Sequence, residues 1–367
     1  MVSIYELALT KVYGIGVRIA NEILKNISAE DLFSLSKTEL QHLFGAKERT
    51  INEILSKQMF KRCEQELEFI QRYNIRSYFL THPDYPYRLK QIPDAPVCLF
   101  VDGNGDISPE RSVAIVGTRN NTDYGTRMTQ QIVEELRKLK VSVFSGLARG
   151  IDSISHIASL NCGIPTFGVL AHGLDYIHPR ENFDLAQKMK ENGALITEYF
   201  TKTENFAYNF PHRNRIIAGL SDLVIVVEAT KKSGTLITAQ CANDYNRDVL
   251  AVPNSVENAS SEGCNFLIES KRADIYASPK SIAKLMDWDE LVESISLFTQ
   301  EPNPDKSQNL HGNKKKIYQT LKLKGEMDID TLCVEMQMGA NELSATLLEL
   351  ELEDYVIAKP GRIYKAL

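Results

Sequence analysis

Five short segments of this sequence, in the loops that follow apolar runs, contain glycine, arginine or both. The segments are 117–119, 145–152, 171–183, 209–215 and 233–235. Glycine lets a backbone approach a ligand closely, and the N–H groups at the start of a following helix attract anions. The arginines are Arg119, Arg149, Arg180, Arg213 and Arg215. These residue types together predict a track that binds phosphate groups.

For some residues in these segments, a structural role is the alternative to ligand binding or catalysis. Arg149 is close enough to Asp152 to pair with it and hold the loop instead of binding a ligand. His156 follows Asp152 by four residues on one predicted helix face, which favours a structural contact over catalysis. No histidine has metal-ligand spacing, and neither the dinucleotide-binding glycine pattern nor the Walker sequence occurs. We therefore predict neither a metal nor a cofactor.

Six short runs rich in β-branched residues predict the strands that position these segments. The runs are 113–116, 141–144, 166–170, 194–196, 223–227 and 249–252. Nearly continuous apolar strands are typical of a parallel sheet buried on both faces. Their alternation with helices predicts an α/β fold with a doubly wound, mostly parallel, Rossmann-like sheet. Ligands bind at the carboxyl ends of such strands, so the five segments should meet at one edge.

The regions before and after this sheet predict two further modules. Residues 7–24, around Gly14-Ile15-Gly16, predict a helix-hairpin-helix, with a weaker copy at 40–55. Such a hairpin either meets a DNA phosphate or packs on protein, and both roles remain open. A helix over 58–73 and a proline-rich connector over 83–97 follow. We expect a helical, SAM-like domain over 1–75 and a Rossmann-like domain over 76–285.

Residues 286–308 are expected to form a linker, and 309–367 a winged-helix domain. Helices are predicted near 314–323, 329–335 and 341–353, followed by a hairpin around Pro360-Gly361. Residues 339–358 include five acidic residues and no lysine or arginine. A helix that enters a major groove should not repel phosphate. The charges therefore favour a protein contact or a regulatory role over reading duplex DNA.

The net charge of −6 does not exclude a polyanionic ligand. The central segment 111–275 contains 18 basic and 18 acidic residues, so the acidic surplus lies toward the two ends. A binding site needs only a local cluster of charge. No apolar run reaches the roughly 20 residues of a membrane span, and the six cysteines are widely spaced. These features predict a cytoplasmic protein with reduced, mostly buried thiols and no membrane contact.

The loops, taken in order, resemble those of the DNA-processing protein A family (DprA, also called Smf). The matching stretches are 113–119 with Tyr124-Gly125, 145–152, 173–175, 179–182, 209–211, 213–221, 227–229 and 233–239. The resemblance covers about residues 80–277. It implies a non-catalytic protein that binds single-stranded DNA without sequence preference. It also implies protection of that DNA in natural transformation and homologous recombination, loading of the recombinase RecA, and a homodimer formed through the Rossmann-like domain.

The resemblance also assigns DNA-binding roles. Arg119 is similar to the residue that engages a base and a phosphate, Arg180 to a basic contact, and Phe183 to the aromatic ring on which a base stacks. Arg213, Asn214 and Arg215 are similar to a phosphate-side wall. The complete predicted DNA-binding set is Gly117, Thr118, Arg119, Gly146, Arg149, Gly150, Arg180, Phe183, Arg213, Asn214, Arg215, Ser233, Gly234 and Thr235. Two positions depart from the family pattern: Asn254 stands where the family usually has Gly after Val-Pro, and Phe266 where a basic residue is common.

Two other functions remain open. The central domain also resembles the nucleotide-monophosphate phosphoribohydrolases of the lysine-decarboxylase-like group. Those enzymes place a catalytic Glu just after a Gly-Thr loop, whereas Gly234-Thr235 is followed here by Leu236-Ile237-Thr238-Ala239. A nucleotide-sensing regulatory protein is the third possibility.

Overall fold

All six predicted strands lie within one nine-stranded sheet. The computed structural model describes residues 2–45, 47–203, 207–288, 310–336, 338–353, 355–359 and 363–366. The strands of the large sheet are β1 (Arg76–Phe79), β2 (Cys98–Gly103), β3 (Ser112–Val116), β4 (Ser142–Ser145), β5 (Thr166–Val169), β6 (Ala194–Thr197), β7 (Leu223–Val226), β8 (Asp248–Ala251) and β9 (Asp274–Ile275). Their order is β1-β2-β6-β5-β4-β3-β7-β8-β9. The seven strands from β6 to β9 in this order are parallel, which confirms the predicted fold class.

The topology places a ligand-binding edge beside β3. The chain runs from β3 to β4, β5 and β6 on one side and returns to β7 on the other side of β3. Such a reversal opens a crevice at the carboxyl ends of the neighbouring strands. β3, β4, β5, β6 and β7 are buried along their whole length, as their apolar sequences require. The loops that follow these strands therefore have a rigid support.

The helices surround this sheet and precede it. They are α1 (Ile4–Leu9), α2 (Val17–Leu24), α3 (Ala29–Leu32), α4 (Lys37–Phe44), α5 (Glu48–Ser56), α6 (Phe60–Arg72), α7 (Tyr87–Lys90), α8 (Asp123–Arg137), α9 (Ile151–Asn161), α10 (Phe183–Asn192), α11 (Asn209–Leu220), α12 (Thr235–Asp244), α13 (Glu262–Glu269) and α14 (Ser281–Met286). Short 3₁₀ turns occupy Arg180–Asn182 and Ala259–Ser261.

The first hairpin, between α1 and α2, packs on the second, between α4 and α5. The Thr50 hydroxyl donates to the Tyr13 carbonyl (3.0 Å), and the Tyr13 N–H donates to the Glu53 carboxylate (2.6 Å). A Cβ on Gly14 would lie 2.7 Å from the Thr50 hydroxyl oxygen. Tyr13 and Gly14 of the turn therefore contact α5, and the Tyr13 N–H already has the Glu53 carboxylate as its partner.

The N-terminal helices and the large sheet belong to one compact unit, Met1–Leu291. Phe79 of β1, Phe100 of β2 and Phe200 lie in the same apolar cluster as Leu7 and Leu40 of the N-terminal helices. The boundary near residue 75 stays a prediction. No helix in the described ranges is long and apolar enough to cross a membrane. All six cysteines are free thiols, three of them buried and three half-buried.

The second compact unit, Val292–Leu367, contains the predicted winged helix. Its elements are α15 (Gly312–Lys324), β10 (Met327–Asp328), α16 (Ile329–Met336), α17 (Ala340–Leu352), β11 (Val356–Lys359) and β12 (Ile363–Ala366), with strand order β10-β12-β11. Lys314 pairs with Glu349 and Glu353, each at 2.9 Å, so part of the predicted acidic charge is balanced within the unit. The Pro360-Gly361 turn and most of the predicted linker lie outside the described residues.

His156 is a buried structural residue, but its partner is not Asp152. Its Nδ1 lies 2.7 Å from the Thr166 hydroxyl oxygen, whereas the Asp152 carboxylate accepts the Ala148 N–H at 3.3 Å. The predicted His156–Asp152 contact is therefore wrong. Burial lowers the pKa of His156 to about 3, and the positive charge of Arg213 acts in the same direction.

The titration of His156 predicts a pH-dependent stability. In the unfolded chain a histidine protonates near pH 6.5, so the folded state loses stability as the pH falls from there toward 3, by about 1.4 kcal/mol per pH unit. A His156→Gln variant lacks this loss. We expect the advantage of the wild type over the variant to shrink by about 2 kcal/mol between pH 7 and pH 5, measured by urea unfolding. A pH-independent difference would contradict this assignment.

Candidate functional site

Two adjoining cavities open at the carboxyl edge of the sheet. The first cavity, about 360 Å³, lies among the loops after β3, β4 and β5. The second cavity, about 500 Å³, lies between the loop after β3 and the starts of α11 and α12. Both have volumes common for small-molecule sites. The residues that line both are Arg119, Ala148, Phe210 and Arg213.

Most of the predicted DNA-binding residues line these cavities. Those in the first cavity are Arg119, Gly146, Arg149 and Arg213; those in the second are Gly117, Thr118, Arg119, Arg213, Asn214, Ser233, Gly234 and Thr235. Four predicted residues line neither, namely Gly150, Arg180, Phe183 and Arg215. Each of these four residues lies outside the cavities for a different structural reason.

Gly150 and Gly146 allow the loops to pack closely. Gly150 has φ +76°, and a Cβ there would lie 2.3 Å from the Thr118 carbonyl oxygen, so only glycine lets the loop after β4 meet the loop after β3. At Gly146 a Cβ would lie 2.3–2.5 Å from the Arg213 guanidinium. Both glycines therefore permit the close packing of the loops around the cleft.

Arg213 is buried beneath the cleft. Its guanidinium donates to the carbonyl oxygens of Gly146 (2.6 Å) and Val169 and to the side-chain oxygen of Asn214 (3.1 Å). Burial lowers the pKa of Arg213 to about 10, with the Asp152 carboxylate opposing that effect. We therefore assign Arg213 a structural role: it links the ends of β4 and β5 and adds positive potential to the cavity floor. It is not part of an exposed phosphate-binding wall, as the resemblance had implied.

Arg215 lies on another side of α11, away from both cavities. It forms an ion pair of 2.5 Å with Glu198 and donates to the Asp94 carbonyl oxygen, and its side chain is only 7% exposed. Residues two apart on a helix do not face the same way. The structure thus gives Arg215 a role in packing and does not bring it to the cleft.

Arg149 pairs with Glu181 and not with Asp152. Its guanidinium makes a two-pronged contact with that carboxylate, at 2.5 and 2.7 Å, and both side chains are half or more exposed. Exposed pairs of this kind contribute little stability. The pair links the loop after β4 to the turn at Arg180–Asn182 and reduces the positive charge that Arg149 offers to an anion.

Arg119, Arg180 and Phe183 are the predicted side chains left free for a ligand. The Arg119 guanidinium lies over the Phe210 ring, 5.0 Å from its centroid, and Arg180 is exposed with no polar partner in the described part of the chain. Phe183 is 51% exposed. Asn182 holds this turn by donating to the Leu147 carbonyl and to the Ser153 hydroxyl, each at 2.9 Å. Two cations and one aromatic ring therefore face solvent on rigid supports.

The second cavity ends at the N-terminus of α12. The Ser233 hydroxyl oxygen accepts the Thr235 N–H (3.2 Å), and the Asn214 amide donates to the Gly234 carbonyl (3.2 Å). Outside the cavities, buried Glu228 accepts the N–H (2.9 Å) and hydroxyl (2.6 Å) of Thr122 and so fixes the loop after β3. The start of a helix with such a rigid loop is suited to an anion.

The N-terminal helices help to position the loops around the cleft. The buried Glu66 carboxylate accepts the N–H (3.0 and 3.1 Å) and the hydroxyl (2.6 Å) of Thr201, after β6. Arg62 donates to the Thr201 carbonyl at 2.6 Å. The Lys202 N–H donates to the Asp175 carboxylate at 2.9 Å, in the loop after β5. These contacts support the cleft without lining it.

Several residues at the cleft were not in the predicted set. Phe210 and His178 line the first cavity, and Lys231 and Lys232 are exposed directly before Ser233. Position within or next to one of the five predicted segments was the available signal for all four, but burial and side-chain direction are not visible in the sequence. Within the described ranges no three His, Cys, Asp or Glu side chains are placed to share a metal ion.

A Rossmann-like sheet with arginines and a helix N-terminus around a cleft at its switch point is typical of α/β proteins with anionic ligands. Residues 76–287 match the family model of DNA recombination-mediator protein A, and residues 301–362 match that of the DprA winged helix domain. The chain therefore belongs to the DprA/Smf family of DNA-processing proteins that act in recombination.

Relatives and solved structures agree with this assignment. The Smf protein of Synechocystis is 31% identical over 390 residues, covering 98% of each chain, and the DNA processing protein DprA of Bacillus subtilis is 38% identical over 228 residues, covering 62% of this chain and 76% of its own. The crystal structure of DprA from Streptococcus pneumoniae superimposes with a TM-score of 0.68 and 30% identity, covering 78% of this chain and 99% of that one. A structure of DprA from Helicobacter pylori, which concerns the single-stranded-DNA binding mode of that protein, has a TM-score of 0.54 and 28% identity, covering 59% and 98%.

Proposed function

We propose that this protein is a non-catalytic binder of single-stranded DNA that protects incoming strands during natural transformation and homologous recombination. The observation that carries the proposal is the free set of Arg119, Arg180 and Phe183 around a cleft with a helix N-terminus. Binding without sequence preference needs cations along the backbone and aromatic faces for the bases. The cleft offers both.

The two kinds of contact would have different tasks. Arg119, Arg180 and the N-terminus of α12 would bind phosphates, and Phe183 would stack on a base. Each base stacked on an aromatic ring contributes roughly 1–3 kcal/mol. Because every base has a stacking face, such a site tolerates any sequence. Loading of RecA and formation of a homodimer remain part of the proposal and rest on family membership.

The phosphoribohydrolase alternative gains no support from the cleft. Among the described residues that line the two cavities, Asp152 is the only carboxylate. Its oxygen accepts the Ala148 N–H, and burial raises its pKa. It therefore holds the loop after β4 and is not free to stabilise a ribosyl cation.

A titration with oligo-dT and with duplex DNA of equal length tests the proposal. We expect tighter binding of the single strand, because the bases of a duplex are not open to stacking on Phe183. The logarithm of the binding constant should fall linearly with the logarithm of the salt concentration, with a slope of about 0.7 per phosphate contact. Equal affinity for the two DNAs, or no salt dependence, would overturn the proposal.

A further inference from the structure

Phe210 is placed between the two cavities and has no role in the function proposed above. It is half-buried, and it is the only phenyl or phenol ring among the described residues that line either cavity. Asn209 beside it is buried and donates to the Ala171 carbonyl at 3.0 Å, which fixes the start of α11. The ring therefore stands on a rigid support inside the cleft.

The Arg119 guanidinium covers this ring but is held there weakly. Its carbon lies 5.0 Å from the ring centroid, and no hydrogen bond or ion pair of that guanidinium occurs in the described part of the chain. Arg213 also lies near the ring, at 6.0 Å, but its bonds to Gly146 and Val169 hold it in place. Arg119 is thus the group that a ligand can displace.

We propose that Phe210 is a second base-stacking site. A nucleobase of the bound strand stacks on the Phe210 ring in place of the Arg119 guanidinium, and the released guanidinium binds a phosphate of the same strand. A base–aromatic stack is stronger than an exposed cation–π contact, so the exchange is favourable once a strand is bound. This inference rests on the proposed single-stranded-DNA binding and adds an inner site to the rim site at Phe183.

The cavities on either side of Phe210 support this assignment. Their volumes, about 360 and 500 Å³, leave room for a base beside the ring and for a phosphate at the start of α12. The apolar lining of the first cavity includes Leu170, Ala171 and Pro179, which suits the flat face and edge of a base. The outer ring, Phe183, lies outside both cavities, so one strand can use the two rings for different nucleotides.

The test compares Phe210→Leu with wild type for oligo-dT and for an oligomer of equal length built from abasic sites. We expect about a tenfold loss of affinity for oligo-dT and a change below twofold for the abasic strand. Equal losses for both strands would mean that Phe210 only holds Arg119, and unchanged affinity for both would remove it from the interface; either result overturns the inference. Phe210→Tyr, which retains the ring, should bind like wild type, whereas a loss as large as that of Phe210→Leu would contradict stacking.

A fluorescence measurement keeps the inference testable if the leucine variant is unstable. The chain has one tryptophan, Trp288, so Phe210→Trp in a Trp288→Phe background places the only indole at the site. Stacking should quench its emission when oligo-dT is added but not when the abasic strand is added. Equal emission with both strands would overturn the assignment. Failure of the wild type to bind oligo-dT would instead remove the function proposed above.

Discussion

Replacing Arg119 or Arg180 by alanine should lower the affinity for oligo-dT by about 10- to 100-fold each. A hydrogen bond to a charged group contributes roughly 1.5–3 kcal/mol, and each 1.4 kcal/mol is a factor of about ten in affinity. Neither guanidinium has a competing carboxylate in the described part of the chain, so each is free for phosphate. Fluorescence anisotropy over a range of salt concentrations measures the effect, and each lost contact should reduce the salt slope by about 0.7.

Arg137→Ala is the matched control. Arg137 lies at the C-terminal end of α8, far along the helix from the loop after β3, and its exposed side chain faces Glu134 at 3.4 Å. Its removal changes the net charge by the same amount but should leave the affinity within twofold. Arg149→Ala should fall between these results because Glu181 already neutralises much of that charge. Unchanged affinity in both the Arg119 and Arg180 variants would show that single-stranded DNA does not bind at this cleft.

The sequence predicted the edge of the sheet correctly but not which arginines are exposed there. The apolar runs at 113–116 and 223–227 required buried parallel strands, and the loops after them had to meet. Arg213 and Arg215 lie in one predicted segment, 209–215, and were predicted to bind phosphate as Arg119 was. Both are buried. Their partners, such as Val169 and Glu198, are distant in sequence, and the direction of each side chain depends on the phase of α11. Only tertiary structure supplies that information.

The antiparallel strands β1 and β2 were missed for a different reason. The predicted irregular connector over 83–97 lies between β1 and β2, which pair antiparallel from Arg76 opposite Val101 to Phe79 opposite Cys98. Four residues in β1 give too short a pattern for alternation to be recognised. The prolines between the strands correctly indicated an irregular connector. They did not indicate that the segments on either side of it pair as β1 and β2. Phe183 was predicted through resemblance, whereas Phe210 was identified only from the residues that line the cavities.

The connector is held by a buried charge cluster at the amino edge of the sheet. Arg88 of α7 is 3% exposed, and its Nε lies 2.5 Å from the Asp222 carboxylate. The same guanidinium donates to the carbonyl oxygens of Pro109 and Glu110, each at 2.6 Å. Asp222 also accepts the N–H and hydroxyl of Ser112, each at 2.9 Å. One carboxylate therefore joins the connector, the start of β3 and the segment before β7.

Asp222→Ala should consequently destabilise the larger unit by about 3–5 kcal/mol, because it leaves a buried guanidinium without its counter-charge. Calorimetry of the full chain should show a midpoint lowered by roughly 10 °C for that unit. Glu134→Ala, which breaks an exposed pair, should cost less than about 1 kcal/mol. Adding Arg88→Met to Asp222→Ala removes the uncompensated charge and should recover part of the loss, whereas a further additive loss would show that the charge is not the cause. Since the cluster lies at the opposite ends of the strands from the cleft, the folded variant should retain its affinity for oligo-dT.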